Sequence, residues 1–173
     1  MAARKRHIMI VEDDDLYAVF LTHYLRNNLG EVNINVFTNG QDGLVGLEHG
    51  KYDVMILDYF LDDMTGLEVL QEAKKRQPEL VVIVLSANKK LEAAIDLMKA
   101  GAMDYLEKNP DSAFELIKAL ERIFEAKELE ERTLTISLNL SKNRPLRIGL
   151  IVLGLIGLLM VVLNLYTYLA QPG

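Results

Sequence analysis

The sequence predicts an α/β domain, an open parallel sheet of five strands covered by helices on both faces, followed by one membrane-spanning helix. Three observations carry that reading. Short continuous apolar runs alternate with helical patterns through the first 126 residues, and such runs suit strands buried on both faces of a parallel sheet. A chain of 173 residues has room for one well-cored domain and an appendage rather than two domains. Residues 148–170 carry no charged side chain.

The elements follow in order. Residues 7–11 (HIMIV) form the first strand. Residues 16–29 set Val19, Phe20, His23, Tyr24 and Arg26 at helical spacing, and Gly30 closes that helix. Residues 32–37 (VNINVF) alternate, as a strand near an edge does. After Asn39-Gly40, residues 41–48 read as a short helix weakened by Gly43 and Gly46. Residues 52–57 (YDVMIL) are the third strand and residues 66–76 the third helix, stopped by Pro78. Residues 80–85 (LVVIVL), the most apolar run, are expected at the centre of the sheet. A fourth helix over 91–100, a fifth strand over 103–106 and a fifth helix from 112 to about 127 complete the domain, residues 1–127.

Charge narrows the function. The 25 acidic side chains and 16 of the 19 basic ones fall within residues 1–132, which therefore carry −9 of a net −6, the remainder carrying +3. An acidic domain repels phosphate backbones, so no nucleic-acid partner is expected. Without cysteine there is no disulfide, thiolate nucleophile or Cys-ligated metal, which suits a reducing compartment. The N-terminal apolar run reaches acidic residues too soon for a signal peptide.

Ligands of such sheets bind outside the carboxyl ends of the strands. There stand Glu12, Asp13, Asp14 and Asp15 after the first strand, Asp58 after the third, Ser86 after the fourth and Lys108 after the fifth. Two carboxylates about 4 Å apart repel by about 4 kcal/mol at an effective dielectric near 20, so three held together call for a cation. All-oxygen ligation favours a hard ion, Mg²⁺ above others. A carboxylate nucleophile, a metal, a hydroxyl and a lysine suit a phosphoryl group. Asp14 or Asp15 reads as a helix cap, His7, His23 and His49 as structural or surface residues, and Asp62-Asp63 as a solvated loop.

The segments IMIVEDDD, MILDYFLDDMTG, VIVLSA and DYLEK resemble the receiver domain of bacterial two-component response regulators. The resemblance implies a flavodoxin-like sheet of order 2-1-3-4-5. It implies Asp58 as phosphoacceptor, with Asp13 touching Mg²⁺ directly, Glu12 acting through water and the Phe60 backbone carbonyl completing the protein's share of the metal shell. It assigns Ser86 as the hydroxyl that turns toward the phosphoryl group, Lys108 as the lysine that holds it, and Tyr105 as the switching aromatic. Two departures stand out. Asp62 occupies a place where the family commonly has proline, and Asn109 separates Lys108 from Pro110, which puts the family's cis peptide after the lysine in question. Phe60 and Asn88 occupy positions that tune hydrolysis. An apolar Phe60 cannot orient an attacking water, so a phosphoryl-aspartate living minutes or longer is expected.

The C-terminal segment supplies location. As a helix, residues 148–170 span roughly 34 Å at 1.5 Å per residue, enough for a hydrocarbon core of about 30 Å. Lys142, Arg144 and Arg147 precede them and no basic residue follows, so the positive-inside bias puts the domain in the cytoplasm, a single-pass protein of the inner membrane in contact with its lipid. Gly149, Gly154 and Gly157 are not spaced by four and hint only weakly at helix dimerisation, leaving a homodimer open. Between domain and span lies a linker, residues 128–147: an extension of the fifth helix, then TLTISLNL over 133–140, whose alternation reads as strand-like or interfacial, then the basic flank.

The expectation is a membrane-anchored receiver, phosphorylated on Asp58 by a histidine kinase or phosphotransfer protein and acting through a protein effector. It is not expected to be an enzyme beyond its own phosphorylation and dephosphorylation. The alternatives are a membrane scaffold that never takes up phosphate and a phosphate sink or relay.

Overall fold

The computed structural model describes residues 5–87, 91–142, 153–160 and 163. The elements are β1 (Arg6–Val11), α1 (Asp15–Leu29), β2 (Val32–Phe37), α2 (Gly40–His49), β3 (Val54–Asp58), α3 (Gly66–Arg76), β4 (Val81–Ser86), α4 (Leu91–Lys99), β5 (Asp104–Glu107) and α5 (Ser112–Lys142). The chain divides into two units, Met1–Phe124 and Glu125–Gly173.

In the first unit the five strands pair in parallel in the order β2-β1-β3-β4-β5. Side chains of a strand alternate between faces, and the two cores follow that parity. Ile8, Ile10, Val54, Ile56, Ile83 and Leu85 pack with Leu21 and Leu25 of α1 and Leu116, Leu120 and Phe124 of α5. Met9, Val11, Met55, Leu57, Val82 and Val84 pack on the other face with Leu44 of α2, Val69 and Leu70 of α3 and Leu97 of α4. β2 lies at an edge and is half exposed, as its alternation predicts. The most apolar run, β4, is interior, but the middle place belongs to β3, all five of whose residues are buried. Strand order follows the crossover connections rather than the hydrophobicity of each strand.

Local chemistry sets the helix starts. Asp14 caps α1, its Oδ1 accepting from Leu16 and Tyr17 N–H at 2.9 and 3.0 Å. Thr65 and Glu68 form a reciprocal capping box at α3. The glycines of α2 admit close packing rather than merely weakening the helix: a Cβ at Gly46 would lie 2.4 Å from the Phe37 ring.

The linker differs from its sequence reading. Residues 133–140 are helical, as part of α5, and not strand-like. Helix geometry satisfies the polar positions that produced the alternation: Thr133 and Thr135 hydroxyls donate to the carbonyls of Leu129 and Glu131, each at 2.8 Å, and the Ser137 hydroxyl to that of Leu134 at 2.7 Å. Residues 153–160 are helical, with the apolar side chains of Leu153, Leu155, Ile156, Leu158, Leu159 and Met160 exposed. Among the described residues no helix is long and apolar enough to cross a membrane. The rest of the 148–170 segment, residue 163 apart, and the basic flank past Lys142 lie outside the described residues.

Candidate functional site

Four strand ends build the site at the carboxyl rim, and three of them are carried one hydrogen bond past their ladders. Glu12 N–H donates to the Phe37 carbonyl at 3.0 Å, Tyr59 N–H to Leu85 at 3.1 Å and Lys108 N–H to Ser86 at 2.8 Å. Parity then sorts the side chains. Glu12, Asp58 and Lys108 continue the alternation of Ile10, Ile56 and Leu106, which face α1 and α5. Ser86 continues that of Val84, and Tyr105 packs beside it, both on the face of α2, α3 and α4.

The structure brings Glu12, Asp13, Asp58 and Lys108 together. Lys108 Nζ donates to Glu12 Oε1 and Oε2 at 2.8 and 2.7 Å and to Asp58 Oδ2 at 2.8 Å. Asp58 Oδ1 accepts from Phe60 N–H at 3.2 Å. Glu12 and Asp58 are buried, at 1% and 6% exposure. Burial pushes the Glu12 carboxyl up to about 7, the Asp58 charge adds to it, and Lys108 pulls it back. Burial also raises Asp13, with the charges of Asp58 and Asp62 adding. Burial lowers the Lys108 ammonium, but its bonds to Asp58 and Glu12 outweigh that and hold it above its ordinary value.

That donor set fits Mg²⁺. Glu12, Asp13 and Asp58 each offer a carboxylate oxygen, all within 4.8 Å of one another. Three negative charges against the one ammonium among them leave −2 when all are ionised, a deficit one divalent cation cancels.

Ser86 is fully buried at the end of β4. Tyr105 lies in β5 opposite Val84. Phe60 is 53% exposed and meets the Tyr59 ring edge-on at 4.9 Å. Asn88 lies outside the described residues. Among the described residues no peptide bond is cis, that following Lys108 included.

The sequence reading placed Asp63 in a solvated loop and did not single out Tyr17. Asp63 is no idle loop carboxylate: Oδ1 accepts from Gly40 N–H at 2.8 Å and Oδ2 from Gln41 N–H at 2.9 Å, tying the β3–α3 loop to the first turn of α2. The same loop is closed by Gly66 N–H donating to the Tyr59 carbonyl at 2.7 Å. A Cβ at Gly66 would stand 2.5 Å from the Asp58 carbonyl oxygen, so only glycine lets α3 begin there. Tyr17 presents its ring 4.5 Å from Lys108 Nζ. Neither was legible, because each partner lies far along the chain.

A family model of the response regulator receiver domain matches residues 8–121. The chain belongs to this family. Regulatory protein LuxO of Vibrio parahaemolyticus is 35% identical over 99 residues, covering 57% of this chain and 21% of that protein. Transcriptional regulatory protein ZraR of Salmonella typhimurium is 30% identical over 111 residues, covering 64% of this chain and 25% of that protein. The chain thus spans no more than a quarter of these relatives' length. Among solved structures, the signal receiver domain of a LuxO repressor protein from Vibrio parahaemolyticus matches with a TM-score of 0.68 at 27% identity, covering 75% of this chain and 97% of that one. A CheY-like receiver domain protein from Methanospirillum hungatei matches with a TM-score of 0.67 at 25% identity, covering 73% of this chain and 98% of that one. Receiver domains are phosphorylated on aspartate in two-component signalling, by phosphodonors such as histidine kinases or phosphotransfer proteins, and bind Mg²⁺ at an acidic pocket.

Proposed function

We propose that Asp58 is the phosphoacceptor and that the chain signals through a protein contact that changes when Asp58 is phosphorylated. The observation that carries this is a buried carboxylate at the strand rim, held at 2.8 Å by Lys108 and flanked by two further carboxylates. One Asp58 oxygen forms the O–P bond as the N–P bond of a phosphohistidine donor breaks. The electron pair stays on the imidazole nitrogen, which takes a proton from solvent. Lys108 lies where charge on the phosphoryl oxygens is met, and Ser86 supplies a hydroxyl. Glu12, Asp13, Asp58 and the Phe60 carbonyl would hold Mg²⁺, which when bound neutralises phosphoryl charge. An exposed apolar Phe60 supports slow hydrolysis of the product. α4 offers a responsive element, since Leu97 is the one buried residue assigned to it whereas α3 has four. The activity ascribed to the chain goes no further than its own phosphorylation and dephosphorylation.

The anchoring of this receiver to the inner face of the cytoplasmic membrane belongs to the same proposal. It is supported by the uncharged stretch 148–170, its basic N-terminal flank and the exposed apolar side chains of the helix at 153–160. Confinement to two dimensions raises the effective concentration of membrane-bound partners.

Intact mass of the full chain after incubation with acetyl phosphate and Mg²⁺ tests the site. A gain of about 80 Da, absent in Asp58→Ala, is expected; no gain by a folded wild-type chain would overturn it and leave a scaffold. Flotation with lipid vesicles tests the anchor, which fails if the full chain does not float.

A further inference from the structure

The lysine of the site has a neighbour outside the rim. Tyr17 is the third residue of α1, and Asp14 fixes its backbone by accepting from its N–H at 3.0 Å. Its ring packs against the α1–α5 core, tilts against the Phe20 ring with centroids 6.0 Å apart, and lies 4.5 Å from Lys108 Nζ. An ammonium has three N–H donors. Lys108 Nζ lies 2.8 and 2.7 Å from the two oxygens of the single Glu12 carboxylate and 2.8 Å from Asp58 Oδ2, so two donors suffice for the two acids and the third is free to face the ring. The Tyr17 hydroxyl is buried with no hydrogen-bond partner. An unpaired buried hydroxyl destabilises, so the contact that gives this side chain a role is its ring face, which phenylalanine would present equally.

We propose that Tyr17 is a positioning residue for Lys108, its ring face holding the ammonium over the gap between Glu12 and Asp58 through a cation–π contact. This rests on the reading of Asp58 as phosphoacceptor. Lys108 sits on a flexible four-carbon stem, and its carboxylate partners change during the reaction. The Asp58 oxygen that forms the O–P bond is no longer a free carboxylate oxygen, and Glu12 is drawn toward any bound cation. The attraction of the ring does not depend on either event. Tyr17 therefore keeps the ammonium placed while its ionic partners are redistributed.

The test compares the full chain as wild type, Tyr17→Phe and Tyr17→Leu. Intact mass is followed over time at several acetyl phosphate concentrations with saturating Mg²⁺, and melting is recorded for each. Tyr17→Phe keeps the ring and is expected to label within about twofold of the wild-type maximal rate while melting no lower. Tyr17→Leu is expected to lose about three- to tenfold in maximal rate, with a smaller change in the concentration giving half that rate. The Lys108 ε-methylene protons, read by NMR without phosphodonor, should show an upfield ring-current shift in wild type and Tyr17→Phe that is lost in Tyr17→Leu. Should Tyr17→Leu not fold, Tyr17→Met takes its place. Equal rates for wild type and the ring-less variant would overturn this proposal alone, as would equal losses in the Phe and Leu variants. No mass gain in wild type would overturn the phosphoacceptor reading and this proposal with it, whatever the NMR shift shows about the contact.

Discussion

Replacing Asp63 by alanine removes an intramolecular clamp that its neighbour Asp62 does not make. The carboxylate accepts from Gly40 and Gln41 N–H at 2.8 and 2.9 Å, two of the first-turn donors that a helix leaves without internal partners. Asn39 still accepts from Asp42 N–H at 2.8 Å, so the helix start is not lost altogether. A capping side chain contributes about 1 kcal/mol, and a carboxylate at a helix N-terminus adds about 0.3–1 kcal/mol. Asp63→Ala should therefore destabilise by roughly 1–2 kcal/mol, a fall in Tm of roughly 4–8 °C for a domain of this size. Asp62→Ala should stay within about 0.5 kcal/mol of wild type. Urea denaturation of both variants at neutral pH is the assay. The pH dependence gives a second check. Burial pushes the Asp63 carboxyl up, but the N–H groups of Gly40 and Gln41 hold it below its ordinary value. A depressed carboxyl contributes stability above its unfolded pKa and loses it as pH falls through the folded one, so the difference from wild type should shrink below about pH 4. Equal stability of Asp63→Ala and wild type, or equal losses at both positions, would refute the clamp.

Other expectations follow from the same geometry. Gly66→Ala sets a methyl against the Asp58 carbonyl at 2.5 Å, and should cost about 1–3 kcal/mol by denaturant titration and slow acetyl phosphate labelling through the displaced strand end. Lys108→Met removes the ammonium shared by Glu12 and Asp58, and labelling should fall by about tenfold or more. Thermal stabilisation by Mg²⁺ should be larger at pH 8 than at pH 5.5, because Glu12, raised to about 7 in the metal-free site, must lose its proton to hold a cation. A stabilisation independent of pH would mean that Glu12 takes no part.

Much of this was readable from the chain. The alternation of apolar runs and helical patterns located all ten elements, most within two residues at each end, because burial on both faces marks these strands so strongly. The strand-end rule gathered Glu12, Asp13, Asp58 and Lys108 without any contact information. The period-2 pattern at 133–140 misled because threonine hydroxyls bond back to helical carbonyls as readily as they sit on a strand. Asp63 and Tyr17 stayed hidden because their partners, Gly40, Gln41 and Lys108, come from other elements. Nothing in local spacing encodes such pairings.

The parity of the strand ends has a consequence for how a message could leave the site. Glu12, Asp58 and Lys108 belong to the side of α1 and α5, whereas Ser86 and Tyr105 belong to the side of α2, α3 and α4. Between the two lies the sheet itself, and at its rim they meet: Asp13 shares the parity of Met9 and Val11 yet stands with Glu12 and Asp58. A charge placed on Asp58 acts through space on both sides there. Any shift of the backbone at Tyr59 or Lys108 is passed to β4 through their hydrogen bonds to Leu85 and Ser86. The sheet is then a bulkhead along its length and a shared threshold at its edge.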